Sequence, residues 1–282
     1  MNKHLPEWLT VKAPKRGAYE EMAGYLNSLG LHTVCQSASC PNIGECFSHK
    51  TATFMILGDV CTRNCGFCGV NHGKPLCVDP EEPAHVAQAA AKMELRYVVV
   101  TSVTRDDLPD GGASQFADTI RLIGREIPNA RVEVLIPDLG GDWNSLKIIV
   151  DASPFVLNHN IETVPRLYPQ VRPQARYRRS LDLLETAKAL HTSIYTKSGL
   201  MVGLGESADE VTEVLRDLRA VGCDFVTIGQ YLRPSRNNLA VVEYVTPERF
   251  EEYKSIGYEM GFRHVASGPF VRSSYHAAEA AG

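Results

Sequence analysis

The chain holds 282 residues with 29 Lys and Arg against 33 Asp and Glu, a formal net charge of -4, and 44% hydrophobic residues. That length suits one large α/β unit or two small domains, and the composition is that of a globular chain rather than a disordered one. No Lys/Arg run exceeds a short cluster such as "RYRR", so nucleic acid is not an expected partner. No uninterrupted apolar stretch reaches about 18 residues and "MNKHLPEWLTVKAPKRGAYEEM" has no signal-peptide core, so no membrane partner is expected and the location expected is cytoplasmic.

In chain order the first feature is "CQSASCPNIGEC", which places Cys35, Cys40 and Cys46 in an amino-terminal extension, residues 1–50. From residue 51 to 234, apolar runs of strand length alternate with segments of helical spacing. The runs cover 52–58, 97–103, 131–138, 154–162, 194–203 and 225–232. Between them, segments such as "EPAHVAQAAAKMEL", "SQFADTIRLIGREI", "RRSLDLLETAKAL" and "ADEVTEVLRDLRAV" combine good helix formers with apolar residues three and four apart. Continuous apolar strands separated by helices predict a parallel sheet covered by helices. Six such units suit an α/β fold of the partial (β/α)6, TIM-like barrel kind; an open doubly wound sheet is the competing architecture. Residues 235–282 read as a carboxy-terminal extension, and the three segments as one structural unit.

Directly after the first strand, "CTRNCGFC" puts Cys61, Cys65 and Cys68 within eight residues. They fall on a loop at the strand's carboxyl end, where parallel α/β folds carry their active sites. Without secretion, eight cysteines are more readily metal ligands or reactive thiols than a disulfide framework. Three thiolates at this spacing can curl around one metal centre, with Gly66 and Gly69 easing the close approach of the backbone. A four-iron cubane held this way keeps one iron open to a substrate or cofactor. Zinc is the alternative; it usually takes four protein ligands, and His72 is a candidate fourth.

A C-x3-C-x2-C motif after the first strand of a six-unit βα chain resembles the radical S-adenosylmethionine enzymes. The C-x4-C-x5-C triplet at 35–46, "TSVTRDDLPDGGA" after the second strand and "GPFVRSSYHA" near the carboxy terminus narrow the resemblance to the lipoyl synthase family, over almost the whole chain. The resemblance implies a partial barrel of the radical SAM type with two 4Fe-4S clusters and S-adenosyl-L-methionine as cofactors. It implies that Cys61, Cys65 and Cys68 hold the cluster whose open iron takes the amino and carboxylate groups of S-adenosylmethionine. One electron then cleaves the sulfonium to methionine and a 5′-deoxyadenosyl radical. Cys35, Cys40 and Cys46 are implied to hold an auxiliary cluster that is consumed as sulfur donor, with Ser274 on its fourth iron and Ser273 as the weaker candidate. The implied reaction inserts two sulfur atoms at C6 and C8 of an octanoyl group attached to a lysine of a lipoyl carrier domain or glycine cleavage H protein. Further implied partners are an electron donor of flavodoxin or ferredoxin type and an iron–sulfur carrier that restores the spent cluster. The chemistry agrees: a saturated octanoyl chain has no polar handle, so acid, base or thiol alone cannot replace its C–H bonds by C–S bonds.

Within the same resemblance, "GLMVGLGE" is similar to the G-x-(I/M)-x-G-x-x-E pattern that lines the adenine site, which points to Gly199, Met201, Gly203 and Glu206. The plainer reading of that stretch is a strand followed by a turn and a helix cap. Thr101, Ser102 and Arg105, just past the second strand, offer hydroxyl and guanidinium donors for the methionine end of the cofactor. Asn158, Asn160 and Glu162 alternate along the fourth strand and suit ribose hydroxyls, or else cap and satisfy loops. Lys197 lies within the fifth strand, where a buried cation needs an anion unless its stem snorkels to solvent. Cys223 reads as a buried inert thiol, and Cys77 carries no assignment. Two other functions are weighed: a biotin-synthase-like sulfur-inserting enzyme, which would lack the C-x4-C-x5-C triplet, and a non-catalytic iron–sulfur carrier, which would close both clusters with thiolates.

Overall fold

The computed structural model describes residues 5–10, 24, 26, 29, 31–33, 53–274 and 277; Cys35, Cys40, Cys46, Tyr275 and His276 lie outside them. Strands β1 (His32–Thr33) and β2 (Thr53–Ile56) open the main sheet, and β3 (Val60–Cys61) with β4 (Asn71–His72) form a small second one. There follow α1 (Glu82–Lys92), β5 (Tyr97–Ser102), α2 (Ala113–Glu126), β6 (Arg131–Leu135), α3 (Trp143–Asp151) and β7 (Val156–Asn158). Next come α4 (Tyr168–Val171), α5 (Tyr177–Leu190), β8 (Tyr195–Val202), α6 (Ala208–Ala220), β9 (Phe225–Gln230), α7 (Pro247–Glu259) and β10 (His264–Gly268).

The main sheet runs β1-β2-β5-β6-β7-β8-β9-β10; β1 is antiparallel to β2, and every later pair is parallel. A doubly wound sheet would reverse its winding partway and leave a switch point. Sequential order without reversal is barrel winding, and because β1 and β10 do not pair with each other among the described residues the barrel is partial. Strands β2, β7 and β9 are buried at every residue, which is why they read as unbroken apolar runs. The helices turn one apolar stripe to the sheet, as Phe116, Ile120 and Ile123 do on α2. Helix α6 starts on a capping box between Ser207 and Glu210.

The barrel extends one βα unit into the carboxy-terminal extension. Thr246 accepts from the Arg249 N–H (3.4 Å) and Pro247 takes the first position of α7, which leads to β10 paired in parallel with β9. Only Val265 of β10 is buried, so this edge strand lacks the apolar run that marks the six interior ones. The fourth expected strand is also shorter than its apolar run: β7 stops at Asn158, and Glu162 takes φ +67 in the turn beyond.

Inside the barrel, one residue from each of four consecutive strands joins a polar cluster. Lys197 Nζ on β8 donates to Glu133 on β6 (2.9 Å), as do the Tyr97 hydroxyl on β5 (2.7 Å) and Asn158 Nδ2 on β7 (3.1 Å). Lys197 is 2% exposed and Glu133 1%. Burial, and then the Glu133 charge, push the Tyr97 phenol well above its usual range, so it stays the donor. Removing one partner of such a pair strands the other charge in the interior. Lys197→Met should therefore cost about 3–5 kcal/mol in urea unfolding. Adding Glu133→Gln should recover much of that loss, because the stranded charge is gone, the amide oxygen still accepts from Asn158 and the amide nitrogen can donate to the Tyr97 hydroxyl. Equal stability of the single and double variants would show that the stranded charge is not the source of the cost.

Candidate active site

The cysteine loop leaves β3 at Cys61 and carries Cys65 and Cys68 with no helix or strand of its own, so its shape depends on what grips it. Arg63, between the first two cysteines and buried, forks to Asp106 through Nε and Nη2 (2.7 Å each) and reaches Asp138 from Nη2 (2.6 Å). Asp138, in the turn after β6, also accepts from Arg179 (3.2 Å) and the Gly140 N–H (3.1 Å). Burial would raise its carboxyl, but Arg63 outweighs that and holds it down at about 2. On the other side, the Gly66 N–H donates to the Val171 carbonyl (2.9 Å) and the Gly66 carbonyl accepts from the Leu239 N–H (2.9 Å). Asn238 Nδ2 donates to the Cys68 carbonyl (2.8 Å).

The three thiols line a cavity of about 490 Å³ at the carboxyl ends of the strands, within the size range of small-molecule sites. Backbone N–H groups of Arg63 (3.4 Å) and Thr104 (3.3 Å) point at Cys61 Sγ, and that of Val70 (3.5 Å) at Cys68 Sγ. Burial pushes the Cys65 thiol up to about 12 and that of Cys68 to about 11, so the thiolate state needs the charge of a bound metal. Met55, Phe67, Val103, Leu135, Met201 and Leu232 make the apolar wall. Three buried polar atoms of cavity-lining residues, Ser102 Oγ, Asn160 Oδ1 and Arg172 Nε, have no hydrogen-bond partner among the described residues. Leaving such an atom unmet costs about 1–3 kcal/mol, which a bound polar group would offset. Gly199 keeps the floor open: a Cβ there would lie 2.6 Å from Thr227 Oγ1 and 2.9 Å from Asn160 Oδ1. Soft sulfur donors beside unmet polar atoms fit an iron–sulfur cluster with a polar cofactor against it.

The carboxy-terminal tail enters the same cavity. Arg272, Ser273 and Ser274 line it, and Asn160 Nδ2 donates to Ser273 Oγ (2.7 Å). A Cβ at Gly229 would sit 2.1 Å from the Val271 carbonyl oxygen, so only glycine lets the tail lie this close to β9.

Of the residues singled out from sequence, Thr101, Ser102, Asn160, Glu162, Gly199 and Met201 line the cavity with the three cysteines and Ser274. Five do not. Arg105 turns away to Asp107 (2.9 Å) and to the carbonyls of Leu57 (3.2 Å) and Leu76 (3.1 Å), and so ties loops together. Asn158 and Lys197 are spent on Glu133 in the barrel interior. Gly203 turns the chain out of β8 at φ +102, and Glu206 accepts from the Gly203 and Leu204 N–H groups, so both serve the turn. His72 is exposed on β4, and among the described residues no three of His, Cys, Asp and Glu gather tightly enough to hold a single metal ion. Cys223 is buried, which pushes its thiol up to about 12, while Cys77 is exposed. Three further residues, Arg63, Asn238 and Arg172, belong to the site without having been singled out from sequence. Arg63 lies inside the cysteine motif, which is its only signal; Asn238 in "RPSRNNL" and Arg172 in "QVRPQ" look like ordinary loop residues.

Residues 55–218 match the Radical SAM superfamily. The lipoyl synthase of Caldanaerobacter subterraneus subsp. tengcongensis is 58% identical over 277 residues, covering 98% of this chain and 97% of that protein. That of Caldicellulosiruptor saccharolyticus is 58% identical over 279 residues, covering 99% and 98%. Among solved structures, Streptococcus suis SuiB bound to S-adenosylmethionine aligns with TM-score 0.61 at 10% identity, over 80% of this chain and 53% of that one. Methylornithine synthase aligns with TM-score 0.50 at 13% identity, over 92% and 80%; likeness at this level speaks for the fold alone. With a superfamily match over more than half of its length and 58% identity over nearly all of it, the chain belongs to the lipoyl synthase family of the radical SAM superfamily.

Proposed function

We propose that this chain converts an octanoyl group on a lysine of a lipoyl carrier domain or glycine cleavage H protein into a lipoyl group, by inserting sulfur at C6 and C8. The observation that carries this reading is that the three cysteines of the motif and Arg272, Ser273 and Ser274 of the "RSSYHA" stretch, from distant parts of the chain, line one cavity. Cys61, Cys65 and Cys68 are the residues to hold one 4Fe-4S cluster; Cys35, Cys40, Cys46 and Ser274 are those to hold the other. When bound, the clusters and S-adenosyl-L-methionine supply the one-electron chemistry and the sulfur that unactivated C–H bonds require.

The chain's own residues bind, orient and exclude water. Ser102 Oγ and Asn160 Oδ1 meet polar edges of the cofactor, since no protein group among the described residues satisfies them. The apolar wall of Met55, Val103, Leu135 and Leu232 takes a saturated chain and keeps water from it. Ser274 offers an oxygen, a harder base than a thiolate and a poorer match to iron in a sulfide cluster, so it is the ligand most easily exchanged. A flavodoxin or ferredoxin type donor and an iron–sulfur carrier complete the proposed partners. Among the described residues no helix is long and apolar enough to cross a membrane. A reducing cytoplasm suits the unpaired thiols.

Anaerobic reconstitution should load about eight irons per chain, as two cubane clusters imply; about one zinc would end the reading. With an octanoyl-lysine peptide as substrate, Cys61→Ala, Cys65→Ala and Cys68→Ala together should abolish 5′-deoxyadenosine formation. Normal cleavage by that variant would mean that the two triplets have been assigned the wrong way round. Replacing Cys35, Cys40 and Cys46 should instead spare some cleavage and remove lipoyl product, and thiolated product from that variant would contradict the role of the second cluster as sulfur source.

Ser274→Ala should lower lipoyl formation by about tenfold or more, the scale of metal-site lesions, while lowering cofactor cleavage less. Ser274→Cys should assemble the cluster but turn over poorly. Full lipoyl synthesis by both Ser274 variants would remove Ser274 from the site.

A further inference from the structure

The cavity contains one buried cation that the function proposed above leaves without a role. Arg172 is 8% exposed and lines the cavity with Cys65 and Glu162. Its Nη1 donates to the carbonyls of Asn160 (2.8 Å) and Ile161 (3.3 Å), and the guanidinium lies over the Tyr168 ring, 5.4 Å from its centroid. Its Nε is buried with no hydrogen-bond partner among the described residues. Every other arginine that braces the cysteine loop meets a carboxylate: Arg63 has Asp106 and Asp138, and Arg179 has Asp138. Arg172 has no carboxylate within ion-pairing distance among the described residues, because the Glu162 carboxylate accepts from Asn160 Nδ2 (3.1 Å) instead.

A guanidinium cannot shed its proton, and a buried cation is tolerated only when an anion compensates it. Glu162 is the nearby carboxylate whose charge reaches Arg172, but it forms no ion pair with it. The unpartnered Nε therefore leaves room for a further anion on the cavity side, and the backbone says where. The Val171 carbonyl accepts the Gly66 N–H (2.9 Å), which seats the residue before Arg172 on the residue after Cys65.

Resting on the function proposed above, we infer that Arg172 is the charge-compensating residue of the cluster held by Cys61, Cys65 and Cys68, and sets how readily that cluster accepts its electron. A cluster on three thiolates becomes more anionic by one charge on reduction, and a fixed cation beside it stabilises the reduced form more than the oxidised one. The electron comes from an external low-potential one-electron donor. No bond forms or breaks in this step, and no proton moves, because the guanidinium stays charged throughout.

The test uses the full chain carrying Cys35→Ala, Cys40→Ala and Cys46→Ala, so that one cluster is loaded, followed by a potentiometric titration read by electron paramagnetic resonance without S-adenosylmethionine. The parent should hold about four irons. Arg172→Gln should lower the equilibrium constant for one-electron reduction tenfold or more, a midpoint about 59 mV or more further negative, whereas Arg172→Lys should stay within threefold of the parent. A parent without iron would overturn the cluster reading and this inference with it. Full iron and equal midpoints in parent and Arg172→Gln would overturn the role of Arg172 alone. Should Arg172→Gln load no iron, Arg172→Lys decides: parental iron and midpoint support the charge, and loss of iron there too assigns Arg172 to bracing the 160–161 turn and overturns the inference.

Discussion

A loop that carries three sulfurs and no hydrogen-bond ladder of its own takes its shape from what grips it, above all the fork of the buried Arg63 onto exposed Asp106 and buried Asp138. The two carboxylates come from the connections after β5 and β6, so the spacing of those strands sets the geometry of the loop. The connection after β9 holds the far side through Leu239 and Asn238. Charge-assisted bonds are short and directional, and the Asp138 arm is fully buried while the Asp106 arm meets solvent.

The barrel below supplies the rest by alternation along single strands. On β8, successive inward positions do three different things. Lys197 pairs with Glu133 and fills the interior, Gly199 leaves the floor open, and Met201 joins the cavity wall. Side chains two apart share a face of a strand, so one eight-residue strand carries plug, floor and wall in order. Within this polar cluster the Glu133 carboxylate is met by Lys197, Tyr97 and Asn158, which offsets the cost of burying the pair among apolar layers.

The site also depends on the tail reaching it from the other end of the sheet. Gly229 admits the Val271 carbonyl, and Asn160 spends its amide nitrogen on Glu162 and Ser273, which leaves its oxygen toward the cavity. The same side chain therefore ties the tail to the turn after β7 and offers an unmet acceptor. The Gly229 contact and the Asn160–Ser273 hydrogen bond help seat tail residues in the cavity without a further element of secondary structure between 269 and 274.

Much of this architecture is legible in the chain alone. Continuous apolar runs between helical segments announce a parallel, helix-covered sheet, and the cysteine spacing after the first run marks where chemistry sits. The sequential strand order cannot be read there, because an open doubly wound sheet has the same periodicity. Strand β10 and helix α7 leave little trace because an edge strand buries little, and so carries no apolar run. For Asn158, Lys197 and Arg105 the residue type is informative and the destination is not. Lys197 does need an anion, but that anion is Glu133 on another strand rather than a cofactor. Sequence by itself determined the six interior strands, the helices between them and the place of the cysteine loop, since those follow from periodicity and spacing within a few residues. Which buried charges meet, which polar atoms are left facing the cavity and where the tail lands were decided only by the tertiary structure, because each depends on strands and loops far apart in the chain being packed to within a hydrogen bond of one another.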